Sequence, residues 1–129
     1  YKNRILLFRI FNLSGDLSNQ NTIIGKVNNF IEKNKKTKKM KILKLGDLSS
    51  MRDYINIEKA ANLMVRLIKK NKYGIFNLGT GKATLVRKMV SRLFINYKKL
   101  SFVELNNKFH INEILYSSAD IKKIKKNLL

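Results

Sequence analysis

The segment Arg52-Asp53-Tyr54-Ile55-Asn56-Ile57, followed further on by Phe76-Asn77-Leu78-Gly79-Thr80-Gly81, decides the fold. Residues 52–57 are dense in β-compatible side chains and read as a short strand. Asn56 stands where a side-chain oxygen can cap a following helix. Ala60, Ala61, Leu63, Met64, Leu67 and Ile68 then recur at helical spacing and define one apolar face. Residues 73–78 form a second buried strand, closed by the turn Gly79-Thr80-Gly81. Strand, helix, strand and glycine turn make an α/β unit. Its entrance carries Arg52 beside Asp53, and a guanidinium fork there suits a phosphate.

The same alternation extends in both directions. Residues 4–11 (R-I-L-L-F-R-I-F) are a continuous apolar run, as expected of a strand buried on both faces. Asn12-Leu13-Ser14-Gly15-Asp16 reads as the loop that ends it. Thr22 is placed to cap a helix whose apolar positions are Ile23, Ile24, Val27, Phe30 and Ile31. Residues 33–41 (K-N-K-K-T-K-K-M-K) cannot bury anything and form an exposed connection, and residues 40–45 a half-exposed strand. Thr84 is the expected cap of a helix with Leu85, Val86, Met89, Val90, Leu93 and Phe94 inward. Residues 101–105 and 114–116 are weaker strands. Ser118 opens a final helix with Ile121, Ile124 and Leu128 on one face. With no repeat and no linker, residues 1–129 read as a single α/β region.

Composition bounds the function. Hydrophobic residues make up 44% of the chain, enough for a core, and there is no cysteine, so thiol catalysis and cysteine-held metals are excluded. No apolar run approaches the roughly twenty residues that span a bilayer, so no membrane partner and a cytoplasmic location are expected. The formal charge of +20 would ordinarily point to nucleic acid. Three features weigh against that reading. Lysine outnumbers arginine by more than three to one, although arginine is the better phosphate fork. Lys, Asn, Ile and Leu are abundant together while Pro, Trp and Cys are absent, a joint bias of AT-rich coding. Outside residues 33–41 the lysines are also dispersed. A small basic nucleic-acid-binding protein, using residues 33–41 and the final helix, remains the alternative.

Other motifs fail on inspection. Gly81-Lys82 lacks the P-loop glycine five positions earlier, where Phe76 stands, and Ala83 replaces the Ser or Thr after the lysine. The three spaced glycines of a dinucleotide site are missing, and two glycines making a tight strand-to-helix turn suffice. His110, the only histidine, sits between Phe109 and Ile111 and reads as a packed or surface residue. Asp47, Asp53 and Glu58 have no metal-loop spacing. Tyr1 has Ile5, not lysine, four positions on. No catalytic residue and no metal ligand is assigned.

Four segments in order resemble the extended short-chain dehydrogenases/reductases, the NAD-dependent epimerase/dehydratase family. R-I-L-L-F-R-I-F-N-L-S-G resembles that family's L-R-x-x-N-x-Y-G-P strand and loop. R-D-Y-I-N-I-E-K-A-A is similar to R-D-(F/Y)-(I/V)-x-V-x-D-(V/A)-A, and F-N-L-G-T-G to (Y/F)-N-(I/L)-G-(S/T)-G. S-A-D-I-K-K-I-K-K-N-L resembles the late D-x-S-K-x-x-x-x-L helix. The family's tyrosine and proline are replaced by Ser14 and Asp16, and an aspartate by Lys59.

The resemblance implies the C-terminal portion of such an enzyme, with Rossmann-like strands and a small substrate-binding α/β region but no cofactor-binding N-terminal half. It implies that Arg52 holds a substrate diphosphate and Asn12 faces the sugar nucleotide, while Asp53, Asn77, Gly79 and Gly81 are architectural. NAD or NADP would serve the full-length member, and this chain alone would not hold it, lacking the glycine-rich loop and the Tyr-x-x-x-Lys pair. The implied function is nucleotide-sugar binding within an epimerase, dehydratase or reductase, by a fragment, a split product or a remnant. A homodimer, association with the N-terminal half, or a non-catalytic partnership with a full-length homologue are the assemblies that follow.

Overall fold

The first two helices form where the sequence supplies both an apolar stripe and a capping side chain. In the computed structural model, which describes residues 4–15, 21–105 and 114–128, the elements in chain order are β1 (Leu6–Ile10), β2 (Asn12–Ser14), α1 (Ile23–Asn34), β3 (Lys41–Leu45), β4 (Met51–Asn56), α2 (Ile57–Lys69), β5 (Gly74–Leu78), β6 (Ala83–Leu85), α3 (Val86–Phe94), β7 (Leu100–Glu104), β8 (Tyr116–Ser117) and α4 (Lys122–Leu128). Thr22 Oγ1 accepts from Gly25 N at 3.0 Å and caps α1. Asn56 Oδ1 accepts from Glu58 N at 2.9 Å and Lys59 N at 3.2 Å and caps α2. Both caps are the ones expected from sequence. They occupy backbone donors that a helix start otherwise leaves without partners.

The described residues divide into two compact units. The first combines residues 4–15, 52–83 and 117–128. Its strands pair in parallel, β1 with β5 and β2 with β4. Leu67 from α2, Phe76 and Leu78 from β5, and Ile124 and Leu128 from α4 form the core, with Leu6, Phe8, Leu63, Met64 and Ile121 packed against it. Phe11 N donates to Leu78 O at 2.9 Å, so the β1–β5 ladder continues into the step towards β2.

The second unit comprises residues 21–51 and 84–105 with 114–116. β3 pairs in parallel with β7, from Lys41 opposite Leu100 to Leu45 opposite Glu104. Alternation places Leu43, Leu45, Leu100 and Phe102 on one face. Phe30 of α1 meets Phe94 of α3 with ring centroids 6.2 Å apart, and Phe94 meets Phe102 at 5.5 Å. Val27, Ile31, Val86 and Val90 are buried with them. Glu104 secures this unit: its Oε1 accepts from Leu48 N at 2.8 Å, and its Oε2 pairs with Arg87.

Several expectations need correction. Asn12 to Ser14 are not loop: they form β2, because β4 offers a parallel partner that outweighs their polar composition. β1 is not buried on both faces. Leu6 and Phe8 face the core, whereas Leu7 and, opposite it, Ile75 are exposed, since α2 and α4 cover one side only. Thr84 does not cap α3. It lies in β6, and Leu85 takes the cap position with no side-chain bond. The final helix begins at Lys122 rather than Ser118, with Asp120 Oδ1 accepting from Lys122 N at 2.9 Å. The strand expected at 114–116 is displaced to β8. Tyr1, Asp16 and His110 lie outside the described residues.

The stripe of α2 is also narrower than its composition. Ala60, Leu63, Met64 and Leu67 turn inward, while Ala61 and Ile68 face outward. Leu67 is 0% exposed and Ile68 58%. Leu67→Ala should therefore lower the unfolding free energy by about 2–5 kcal/mol. Ile68→Ala should stay within about 0.5 kcal/mol. Urea titrations of the two variants followed by circular dichroism make the comparison, and equal losses would contradict the register of α2.

Candidate functional site

Alternation along β4 sorts its side chains onto two sides. Asp53 and Ile55 are both 0% exposed and point inward. Arg52 and Tyr54 occupy the opposite side and are half-buried. β2 lies alongside with Asn12 in register with Tyr54, so the parallel pairing carries Asn12 to the side of Arg52 and Tyr54. Asn12 Nδ2 donates to the Asp53 carbonyl at 3.2 Å, which orients the amide. The two residues singled out for substrate from sequence, Asn12 and Arg52, thus share one strand pair. Tyr54 joins them although the sequence reading left it out. The signal was there: it stands two positions after Arg52 in a strand.

Electrostatics suits this patch to an anion. Burial raises the Tyr54 hydroxyl above the usual tyrosine range, and the nearby Arg52 charge opposes that without cancelling it. Tyr54 therefore remains a protonated donor throughout the physiological range. A cationic fork, a phenolic donor and an amide on one surface can bind a phosphate ester. They include no nucleophile paired with a base.

Behind the patch, Asp53 ties two separate pieces of chain to its own strand. Thr80 N donates to Oδ1 at 2.8 Å and to Oδ2 at 3.1 Å, and Thr80 Oγ1 donates to Oδ1 at 2.5 Å. Gly81 N donates to Oδ2 at 2.8 Å, and Ala119 N donates to Oδ2 at 3.1 Å. Burial pushes the Asp53 carboxyl up, but the bonds from Thr80, Ala119 and Gly81 together outweigh it and hold the group below the usual carboxylate range. Gly79 passes so close that a Cβ there would overlap Ala119 and lie 2.8 Å from Asp53 Oδ2. Gly81 has φ +76°, and a Cβ would meet Ile121 Cδ1 at 2.8 Å. Asn77 Nδ2 donates to Asp120 O at 3.1 Å.

These bonds bear on whether the glycine turn could hold a dinucleotide. A phosphate-binding glycine turn presents its N–H groups to the ligand. Here Thr80 N and Gly81 N are committed to Asp53. The turn does not fit a pyrophosphate. Among the described residues, no group of three or more His, Cys, Asp or Glu side chains could hold a metal ion.

The parallel α/β fold is that of the extended short-chain dehydrogenases/reductases. The model of the family described as GDP-mannose 4,6 dehydratase matches residues 1–128, and the chain belongs to that family. Among solved structures, it is similar to RMD from Pseudomonas aeruginosa complexed with NADPH, with 18% identity and a TM-score of 0.81, covering 96% of this chain and 41% of that one. The UDP-N-acetylglucosamine 4-epimerase of Methanobrevibacter ruminantium, in complex with UDP-N-acetylmuramic acid, gives 18% identity and a TM-score of 0.69, covering 96% and 39%. Pal from Bacillus thuringiensis gives 25% identity and a TM-score of 0.69, covering 99% and 40%. No curated protein matches. The chain spans about two-fifths of the length of these structures.

The Asp53 node leads to a pH prediction. A depressed folded pKa means that its contribution to stability is complete above the ordinary aspartate value of about 4. The contribution is lost as pH falls through the lower folded value. Asp47, held down chiefly by Ser49 N and the Ser49 hydroxyl, acts in the same direction. Asp53→Asn should cost about 2–4 kcal/mol at neutral pH, because an amide turns donor hydrogens towards N–H groups that need an acceptor. The variant should also lose less stability than the parent between pH 5 and pH 3, read from urea midpoints. An unchanged acid slope would mean that Asp53 is not the titrating group.

Proposed function

We propose that this chain supplies the nucleotide-sugar-binding part of an NAD(P)-dependent sugar-nucleotide epimerase, dehydratase or reductase. The observation that carries this reading is the meeting of Arg52, Tyr54 and Asn12 on one side of the β2–β4 pair in a chain of this family. Arg52 would clamp the diphosphate through its fork, with Tyr54 donating from its hydroxyl. Asn12, whose amide nitrogen is held by the Asp53 carbonyl, would turn its oxygen to a hydroxyl or base N–H of the ligand. Asp53, Asn77, Gly79 and Gly81 would keep the strand and turn in place behind it. Binding and orientation are the whole of this chain's part.

The cofactor would be held elsewhere. The glycine turn does not fit it, so no redox step is assigned to these residues. The length by which the relatives exceed this chain leaves room for a cofactor-binding part. The exposed side of the β1–β5 sheet supports an association with such a part. Parallel sheets are rarely stable with a bare face, and Leu7 and Ile75 lie bare there. A cytoplasmic setting in bacterial polysaccharide synthesis, by family analogy, completes the reading.

Calorimetric titration with GDP-mannose, UDP-glucose and dTDP-glucose tests it. At least one should bind saturably. Arg52→Ala should weaken that ligand roughly 10–100-fold, the worth of a charge-assisted bond. Lys35→Ala should leave it unchanged. Equal losses from the two substitutions, or no saturable binding of any of the three, would sink the proposal.

A further inference from the structure

The second unit collects at one end what the sequence distributes over two distant segments. The end of α1, the α1–β3 connection and the start of β3 bring Lys33, Lys35, Lys36, Lys38, Lys39 and Lys41, all exposed. The α3–β7 turn brings Lys98 and Lys99, also exposed. The β3–β7 pairing joins them: Lys41 N donates to Lys99 O at 2.9 Å, at the start of both strands. The Phe30–Phe94 contact sets the last turns of α1 and α3 side by side just behind. Across residues 32–42 and 95–100 the only acid is Glu32, which Lys35 reaches at 2.6 Å.

Charge is half of the observation. Large apolar side chains stand open at the same end: Met40 is 58% exposed, Ile42 59% and Ile95 76%. Three large apolar groups standing among eight cations make a mixed surface, cationic and apolar together. Nucleic acid would use the charge but has no call on bare isoleucine and methionine, and its recognition favours arginine over lysine. A lipid headgroup region uses both, because it attracts lysine electrostatically and takes apolar side chains below the phosphates.

We propose that this end of the second unit, the α1–β3 connection together with the α3–β7 turn, docks on an anionic bilayer surface with Met40, Ile42 and Ile95 entering the headgroup boundary. The expectation of no membrane partner rested on the lack of a spanning segment. Indeed, among the described residues no helix is long and apolar enough to cross a membrane. A surface that lies on a bilayer needs none. The proposal is independent of the nucleotide-sugar reading and uses none of its residues.

Sedimentation of the full chain with sucrose-loaded vesicles tests it, using pure phosphatidylcholine and a mixture containing about one-third phosphatidylserine. The anionic vesicles should bind the chain, and the neutral ones should bind it much more weakly. Replacing Lys38 and Lys39 together by alanine should weaken binding about 30-fold, at about 1 kcal/mol per lysine near the surface. Ile95→Ser should weaken it about tenfold and leave the salt dependence unaltered, since the lost contribution is apolar. Circular dichroism verifies that these surface variants remain folded. Two results would overturn the proposal: no preference for anionic vesicles, or an affinity for duplex DNA equal to that for the vesicles with both indifferent to Ile95→Ser. The second would make the patch a general polyanion surface. Failure in either form leaves nucleotide-sugar binding untouched, so the two readings fall separately.

Discussion

The first unit is organised around one buried carboxylate. Asp53 sits inside β4 with no exposure and accepts bonds from the glycine turn after β5 and from the segment leading to α4. A buried charge is tolerated only when its bonds replace its lost hydration. Here four donor groups do so, and the group stays ionised in spite of burial. The carboxylate in turn determines what else is possible. Gly79 must lack a side chain because Asp53 and Ala119 fill the space. The turn's N–H groups face the protein and not a ligand. Arg52 and Tyr54, the neighbours of Asp53 in the strand, are left on the other side.

That division of one strand explains how a binding surface arises with little machinery. The inward residues anchor, and the outward residues between them are displayed on a backbone that cannot shift. Asn12 connects the two roles, since its amide is bonded to the main chain of Asp53 while the residue itself stands beside Tyr54. A site placed on rigid strands keeps its geometry better than one on a loop.

Much of this was legible in the sequence, and the rest was hidden for identifiable reasons. The caps Thr22 and Asn56 were readable because capping depends on one side chain and its nearest neighbours. The helices α1 and α2 and the strands β4 and β7 followed from periodicity. β2 was missed because Asn12-Leu13-Ser14 is strand only through a partner forty residues away, and no local pattern records a partner. Thr84 looked like a cap by composition, but sheet pairing took it into β6. The outer face of β1 was misjudged because an apolar run states that burial is wanted, not that a covering layer exists. Arg52 was legible from its guanidinium at the entrance of an α/β unit as well as from resemblance, Asn12 from resemblance alone, and Tyr54 only once alternation along β4 set it beside them. The lysine patch was half seen: residues 33–41 were visible as a run, but their union with Lys98 and Lys99 exists only once β3 and β7 pair.

The first unit is also discontinuous in the chain, and this has a consequence for its synthesis. Its core is assembled from β1 near the start, from α2 and β5 in the middle, and from Ile124 and Leu128 in the last described helix. The Asp53 carboxylate likewise waits for the main chain of Ala119, sixty-six positions later. Until that later segment is made, the apolar side of β5 has only α2 to cover it and Asp53 lacks the Ala119 bond. Between the synthesis of β5 and that of α4, part of this core therefore stays open. A break within residues 117–128 would open the core and leave Asp53 short of a bond, whereas one in the lysine-rich connection of the second unit touches neither.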